Sequence, residues 1–378
     1  MVEIYLDNNA TTKVSDKVFE NHCEWLKKFG NASSLYPLGE NSKRIIEESR
    51  RIIKKSINAN ENDTLIFTGC ASESNNSVFF SAINYFPEKR HIIISSVEHL
   101  SVFSTAMFWK NKGYEITVVG VDNDGKLDLD QFKKSIRKDT LLISIMMANN
   151  ETGVIFPIKQ LVEIAKDISP DILFHTDAVQ AIGKIPVDVM DMGIDYMSIS
   201  GHKFHAPKGV GALYVRHDVP FIPFIHGGHQ EGGLRAGTEN LASIAAMGTA
   251  ALDIEYLITE NKKREKIRDW MEAEICKMND VMIIGHNSTR LPNTSNIAVK
   301  GIAGTDLLFH LAHKGIYVSI GSACTSKSIS PSHVLKAMKL PEEYQHSIRV
   351  SMSSYTTGAE INVFVQQLEK IVNNLRRK

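Results

Sequence analysis

Cysteine is scarce in this chain: Cys23, Cys70, Cys276 and Cys324 are the only four, they lie far apart, and they form no C-x-x-C pair. That spacing argues against a zinc knuckle and against a disulfide framework, so free thiols in a reducing cytoplasm are expected. An excess charge of one sign is also missing, because Lys plus Arg and Asp plus Glu both number 43. No net field draws the molecule to an anionic membrane or to nucleic acid, and direct nucleic-acid binding is not expected. No apolar run approaches the ~20 residues that span a bilayer. The opening Met1-Val2-Glu3-Ile4-Tyr5-Leu6-Asp7 lacks the basic and apolar regions of a signal peptide. No metal site is expected either. His226-Gly227-Gly228-His229 offers two possible ligands, but neither an H-E-x-x-H pattern nor a nearby cysteine pair joins them. G-x-S-x-G, Walker A and G-x-G-x-x-G elements are absent, which removes the usual signatures of a serine hydrolase, a P-loop enzyme and a dinucleotide-binding fold.

What is present is a chain of 378 residues with 43% hydrophobic content, enough for one large domain and a smaller one. Short β-branched or apolar runs alternate with amphipathic stretches over the first two thirds, the pattern of a parallel, helix-covered sheet. The candidate strands are Thr64 to Phe67, His91 to Ile94, Glu115 to Val119, Leu141 to Met146, Ile172 to His175, Tyr196 to Ile199 and Gly211 to Val215. Between them run helix patterns such as Glu73 to Asn84, Leu100 to Lys112 and Ile158 to Ile168. Asn240 to Asn279 contains no Pro and reads as long helix linking two domains. Beyond it come strand candidates Val281 to Ile284 and Ser295 to Val299, a helix from Thr305 to Lys314, and a last helix opening at Thr357 with Glu360 in capping-box spacing. The second domain is therefore small and α+β.

Three segments carry chemistry. In Ser198-Ile199-Ser200-Gly201-His202-Lys203, a lysine follows an apolar strand, at the carboxyl end where open α/β sheets bind ligands. A desolvated lysine there can lose its proton and form a Schiff base with an aldehyde, although a lone lysine after a strand is usually a solvated surface residue. Asp177, at the end of Phe174-His175-Thr176-Asp177, suits the carboxylate that a pyridoxal phosphate (PLP) ring needs beside its pyridine nitrogen. Alone it reads more readily as a helix cap, since a strand-end Asp before a helix is common. The turn Phe67-Thr68-Gly69-Cys70-Ala71-Ser72-Glu73 runs from strand to helix, so the amides of Ala71 and Ser72 can cradle a phosphate; alone it reads as a capped helix.

Taken together with Leu6-Asp7-Asn8-Asn9-Ala10-Thr11-Thr12, Gly30-Asn31-Ala32-Ser33-Ser34, Ala71-Ser72-Glu73-Ser74-Asn75-Asn76, Glu98-His99, Asn149-Asn150-Glu151-Thr152-Gly153, Asp177-Ala178-Val179-Gln180, Arg235-Ala236-Gly237-Thr238-Glu239-Asn240 and Gly321-Ser322-Ala323-Cys324, these segments resemble the cysteine desulfurases of the NifS/IscS type, in that family's order and over nearly the whole chain. The resemblance implies a fold type I PLP architecture in the α/β class, with a mostly parallel seven-stranded sheet, a small α+β domain and a homodimer. The implied division is a large domain over 14–256 and a small domain made of 1–13 and 257–378. It implies an enzyme that converts L-cysteine to L-alanine, stores the sulfur as a persulfide on Cys324, and passes it to an acceptor or scaffold protein for iron–sulfur assembly, tRNA thiolation or DNA phosphorothioation.

By the same resemblance Lys203 would hold PLP covalently and shuttle the substrate proton, Asp177 would face the pyridine nitrogen, Gln180 the phenolic oxygen, and His99 would stack on the ring and take part in proton transfer. Ala71, Ser72, Ser200 and His202 would bind the phosphate, with Thr238 reaching it from the other subunit, and Asn150 would line the pocket. Arg349 and Asn31 would hold the substrate α-carboxylate, a task that suits a bidentate guanidinium. Cys324 sits among small residues, in Ile320-Gly321-Ser322-Ala323-Cys324-Thr325-Ser326-Lys327-Ser328, a loop whose length up to Pro331 resembles the long loop of the type that delivers sulfur directly to a scaffold. A small thiolate fraction at neutral pH is enough for this nucleophile. Cys23 and Cys276, in helical patterns, read as small buried hydrophobes. Several positions depart from the family pattern: Tyr36 where His is usual, Gly69-Cys70 for a Ser-Gly pair, His205-Ala206 before Pro207, and His229 in a stretch usually all Gly. Two rivals remain: a PLP lyase or aminotransferase that does not use Cys324, and a scaffold whose PLP is vestigial.

Overall fold

The computed structural model describes residues 3–321 and 331–377. The first half comprises β1 (Ile4–Tyr5), α1 (Asp16–Leu26), α2 (Pro37–Ser56), β2 (Thr64–Thr68), α3 (Ala71–Tyr85), β3 (His91–Ser95), α4 (Leu100–Lys110), β4 (Glu115–Val119), α5 (Leu129–Ser135), β5 (Thr140–Ser144), α6 (Ile158–Ile168) and β6 (Leu173–Asp177). Then follow α7 (Val189–Met192), β7 (Tyr196–Ser200), β8 (Gly211–Val215), α8 (Leu241–Ala251), α9 (Ile254–Ile275), β9 (Val281–Ile283), β10 (Thr294–Val299), α10 (Gly304–Ala312), β11 (Ile316–Tyr317), β12 (Ser319–Ile320), α11 (His333–Ala337), β13 (Ser347–Ser351) and α12 (Gly358–Arg376).

Seven strands form one sheet in the order β2-β8-β7-β6-β5-β3-β4. The pairs from β4 through β3, β5 and β6 to β7 are parallel, and β8 runs antiparallel to both β7 and β2. These are the seven strands read from the sequence: Glu115–Val119 and Gly211–Val215 coincide with that reading, and the ends of the other five differ from it by at most two residues. They read clearly because both faces are covered: Ile92 and Ile94 pack with Val78, Phe79 and Val102 on one side, while Ile93 packs with Val97, Ile143 and Phe174 on the other. Gly211 is needed where β8 threads between its neighbours, since a Cβ there would lie 2.8 Å from the Ile199 carbonyl oxygen and 2.9 Å from the Cys70 carbonyl carbon.

The single long helix expected over 240–279 is instead two, α8 and α9, meeting at 56°. Their surroundings differ. Helix α8 is an Ala-rich segment buried against α1 and α2, close enough that a Cβ on Gly248 would meet the Ser49 side chain at 2.8 Å. Helix α9 is charged, and the chain turns at Leu252-Asp253, where Asp253 pairs with Lys17 at 2.9 Å. The turn lets α9 pack on α12 and β10.

A second, antiparallel sheet has the order β12-β13-β10-β9. Only β9 and β10 are read from the sequence; β12 is two residues long, and β13 was noted only for Arg349. Ile297, Val299, Ile348 and Val350 from this sheet share a core with Met271, Leu307, Phe364 and Leu368 from its helices. The expected capping box is present at Thr357, with Glu360 answering it. The N-terminal strand belongs to this end of the molecule: β1 pairs in parallel with β11, and Asp7 bridges to Ser351. Cys23 and Cys276 are exposed rather than buried. His22 faces α8 through the Ala242 carbonyl, which turns the next residue outward, and Cys276 caps α9 one residue beyond its last buried position, Ile275.

Candidate active site

The carboxyl edge of the large sheet builds one wall of a cavity of about 320 Å³. Asp177 ends β6 in register with Ser198 of β7. Ser200 ends β7, and the short turn Gly201–Lys203 then brings Lys203 back over the edge. Its Nζ donates to the carbonyls of Asn9 at 2.6 Å and Ala10 at 2.7 Å. Ala71, Ser72, His99, Asn150, Gln180, His202 and Arg349 line the same space with Asp177, Ser200 and Lys203. The structure thus brings together most of the residues singled out from the sequence.

Three others stand elsewhere. Cys324 lies outside the described residues, as does most of its loop; Ser319, Ile320 and Gly321 line the cavity and lead towards it. Asn31 was expected beside Arg349, but within one chain it shares a second cavity, of about 330 Å³, with Thr238, Phe29 and Glu239. The surface beside it is apolar and open, with Leu35 94% and Phe29 85% exposed.

The buried Asp177 carboxylate accepts from donors at both oxygens, the Val179 amide at 3.0 Å and Asn75 Nδ2 at 3.0 Å. Asn75 Nδ2 also donates to Ser101 Oγ at 2.8 Å, and Ser101 Oγ is 2.8 Å from His99 Nδ1. That nitrogen also accepts the Ser101 amide at 3.2 Å, so the neutral ring carries its proton on Nε2. One asparagine therefore ties the acid to the histidine. Burial pushes the His99 pKa down, opposed by the Asp177 charge and helped by Lys203 and His333. Burial also lowers His202 to about 4, helped by Lys203, Lys208 and Lys184, so at neutral pH it offers an uncharged N–H. Beneath His99, Glu98 is fully buried: Oε1 accepts from Ser95 Oγ at 2.5 Å and the Met146 amide at 2.9 Å, Oε2 has no partner, and burial raises its pKa to about 8.

The opposite wall comes from the small sheet. Arg349, paired in register with Asn296 and Ser319, donates Nη1 to the Asn150 carbonyl at 3.0 Å and Nη2 to Asp7 Oδ1 at 2.5 Å. Its Nε is buried without a partner. Behind it Glu151 is buried, with an unpartnered Oε2 that a Cβ on Gly321 would meet at 2.2 Å; burial raises its pKa to about 7 against the pull of Ser332 and Arg349. Asp7, Asn9, Asn75, Glu98 and Glu151 all fall inside the motifs quoted above, yet nothing in residue type alone gave them a task. Lys184, four residues after Gln180, was missed altogether.

These residues fit pyridoxal phosphate. Cys70 stands at the N-cap of α3 without a capping hydrogen bond, which leaves the first amides of the helix open to a phosphate, while a buried carboxylate and an amine face the same space. A fold of this kind with this lysine and aspartate defines a PLP enzyme of fold type I. The comparisons agree. The aminotransferase class-V family model matches residues 4–364. The chain is 46% identical over 379 residues to a cysteine desulfurase IscS of Dictyoglomus turgidum, covering 99% of this chain and 95% of that one. It is 41% identical to the cysteine desulfurase NifS of Azotobacter vinelandii, covering 100% and 94%. A solved NifS-like protein superposes with a TM-score of 0.92 at 36% identity, covering 98% of this chain and 100% of the other. The chain belongs to the aminotransferase class-V family, as a cysteine desulfurase of the NifS/IscS type.

Proposed function

We propose that this chain converts L-cysteine to L-alanine and carries the released sulfur as a persulfide on Cys324, for delivery to an acceptor protein. The observation that carries this reading is the pairing of two walls across one cavity: Lys203 and Asp177 on the sheet edge, and Arg349 facing them with an unpartnered buried N–H. Lys203 would hold the cofactor, Asp177 its pyridine nitrogen and Gln180 its phenolic oxygen. Ala71, Ser72, Ser200 and His202 would hold its phosphate. When bound, PLP supplies an electron sink for bond cleavage at the amino acid. His99, neutral with its proton on Nε2, presents a flat face for stacking and an N–H for proton transfer. Arg349 Nε offers the donor for the substrate α-carboxylate, and Asn150 holds that guanidinium through its carbonyl. In the net reaction the substrate's C–S bond breaks and an S–S bond forms at Cys324; of the two thiol hydrogens, one stays on the persulfide and the other ends on Cβ of the alanine that leaves.

Asn31 and Thr238 enter this scheme through a homodimer. They sit together beside the exposed Phe29 and Leu35, so a second copy on that apolar face would carry them towards its partner's cavity. The division at 14–256 follows the same proposal, with the cleft between the two sheets as the active site, and a cytoplasmic setting suits a free thiol nucleophile. Iron–sulfur assembly, tRNA thiolation and DNA phosphorothioation each begin with such a persulfide.

The test is mass spectrometry of the yellow holoprotein after incubation with L-cysteine and no reductant. One added sulfur on the Cys324 peptide and a matching release of alanine are expected, both lost in Cys324→Ser while the cofactor colour is retained. A holoprotein that releases alanine catalytically with Cys324 unmodified would overturn the role given to that thiol.

A further inference from the structure

Lys184 is a buried amine that the scheme above does not use. Its Nζ donates to Asn9 Oδ1 at 3.0 Å and to Gln180 Oε1. Gln180 Nε2 in turn donates to the Asn9 carbonyl at 3.0 Å, the same oxygen that accepts Lys203 Nζ at 2.6 Å. A single asparagine therefore holds both lysines and the glutamine. The charged neighbours that act on Lys184 are Lys203 and Arg349, both cations, and with burial they push its pKa well below the ordinary range of a lysine. Two acceptors, Asn9 Oδ1 and Gln180 Oε1, face this amine, and it has an N–H for each.

The value of this contact lies in the shape of the primary amide. The two ends of a glutamine side chain are nearly the same size, so packing alone does not decide which end faces a cavity; the hydrogen-bond partners do. A lysine N–H can meet only the oxygen end. With Oε1 turned to Lys184 and one Nε2 hydrogen given to the Asn9 carbonyl, the second Nε2 hydrogen is left for an acceptor in the cavity that Gln180 lines.

We propose that Lys184 is a positioning residue that fixes the sense of the Gln180 amide, so that a donor rather than an acceptor meets the phenolic oxygen of the cofactor. This rests on the reading that Gln180 faces that oxygen. A flipped amide would set oxygen against oxygen, which both weakens binding and changes the electronic environment of the ring. Replacing Lys184 by Met keeps most of the buried volume and removes only the donor.

The experiment is a double-mutant cycle on the full-length holoprotein with Lys184→Met, Gln180→Leu and the pair. The readouts are the PLP dissociation constant and the absorbance maximum of the bound cofactor, with circular dichroism melts to establish that each variant is folded. Each single change is expected to weaken PLP by about tenfold, the scale of one lost hydrogen bond to a charged oxygen, and to move the absorbance band. In the Gln180→Leu background, Lys184→Met should add less than twofold, because its target is gone. Lys184→Gln, which retains an N–H donor, should recover part of the loss and separates the missing donor from any general loosening. Equal losses from Lys184→Met in both backgrounds, or an unmoved band, would overturn the positioning role while leaving Gln180 in place. A Gln180→Leu protein with wild-type affinity and spectrum would overturn the role of Gln180 at the phenolic oxygen, and the Lys184 proposal with it.

Discussion

The two walls of the cavity rest on similar foundations and are finished differently. Each stands on a buried carboxyl with one orphan oxygen, Glu98 behind His99 and Glu151 behind Arg349. On the large-sheet wall the acid that faces the cavity, Asp177, is held by neutral donors, an amide and an asparagine. On the small-sheet wall the cation that faces the cavity is already ion-paired, to an Asp7 whose side chain is 21% exposed. The proposed cofactor side is thus built before anything binds. The proposed substrate side presents a charge that an internal carboxylate partly answers, so an incoming α-carboxylate would share Arg349 with Asp7.

Breaking the second wall should have the largest effect. Arg349→Gln removes the charged donors, and kcat/KM for L-cysteine is expected to fall by about a hundredfold, the scale of a lost charge-assisted contact, with PLP affinity within twofold of wild type. Steady-state alanine release and a PLP titration check both halves, and a matching loss of PLP affinity would show that the walls are not separable.

A smaller effect comes from the buried acids. Glu98 keeps its proton in the folded protein up to about 8, whereas its ordinary pKa is 4.5, so between those values the unfolded chain has released a proton that the folded one retains. Its contribution is intact below pH 4.5 and is lost as the pH rises through about 8. His175 acts in the opposite sense: burial lowers its pKa from 6.5 to about 3, so its penalty on the fold grows as the pH drops below 6.5. Above pH 6.5 His175 is neutral in both states, and comparison with wild type isolates each acid from other buried groups such as Lys184. Glu98→Gln should therefore lose less melting temperature than wild type between pH 6 and pH 8.5. Glu151→Gln, with a pKa of about 7 in place of 8, should show a weaker version of the same effect. Identical melting slopes in all three proteins would refute the assignment.

The mildest change sharpens the comparison. Asp7→Asn keeps an oxygen for Arg349 and removes the competing charge, and KM for L-cysteine is expected to drop about threefold, the size of a partly exposed ion pair. A rise in KM would mean that Asp7 holds the guanidinium in place more than it competes for it.

The same asymmetry decides what could be read from the sequence. The seven strands of the large sheet stand out because burial on both faces makes them near-continuous apolar runs, and Asp177 and Lys203 follow from their places at strand ends. The small sheet was half visible. The strands β12 and β13 pair with elements nearby in space, but β12 is too short to carry a periodic pattern, and Arg349 points to a site only once the strand bearing it is set opposite Asn150. The break between α8 and α9 has no Pro to announce it, since it follows from what each helix packs against. Lys184 has no local signal either. A lysine four residues past a strand-end motif looks like a solvated surface residue until Asn9, 175 positions earlier, closes over it.

That closure bears on how the protein is made. The segment around Asn8 and Asn9 forms one side of the lysine site, yet it is held by Ser351, 343 residues downstream of Asn8. During synthesis the segment around Asn8 must wait for the segment around Ser351 before its place in the structure exists, while the seven strands of the large sheet are already available to pair. Such long-range closure is slow, and it sets an order of events. A nascent chain carries the Asn9 and Ala10 carbonyls and Lys203 well before those carbonyls are fixed in place to hold the lysine, so the finished site appears only when the segments around Asn9 and Ser351 have met.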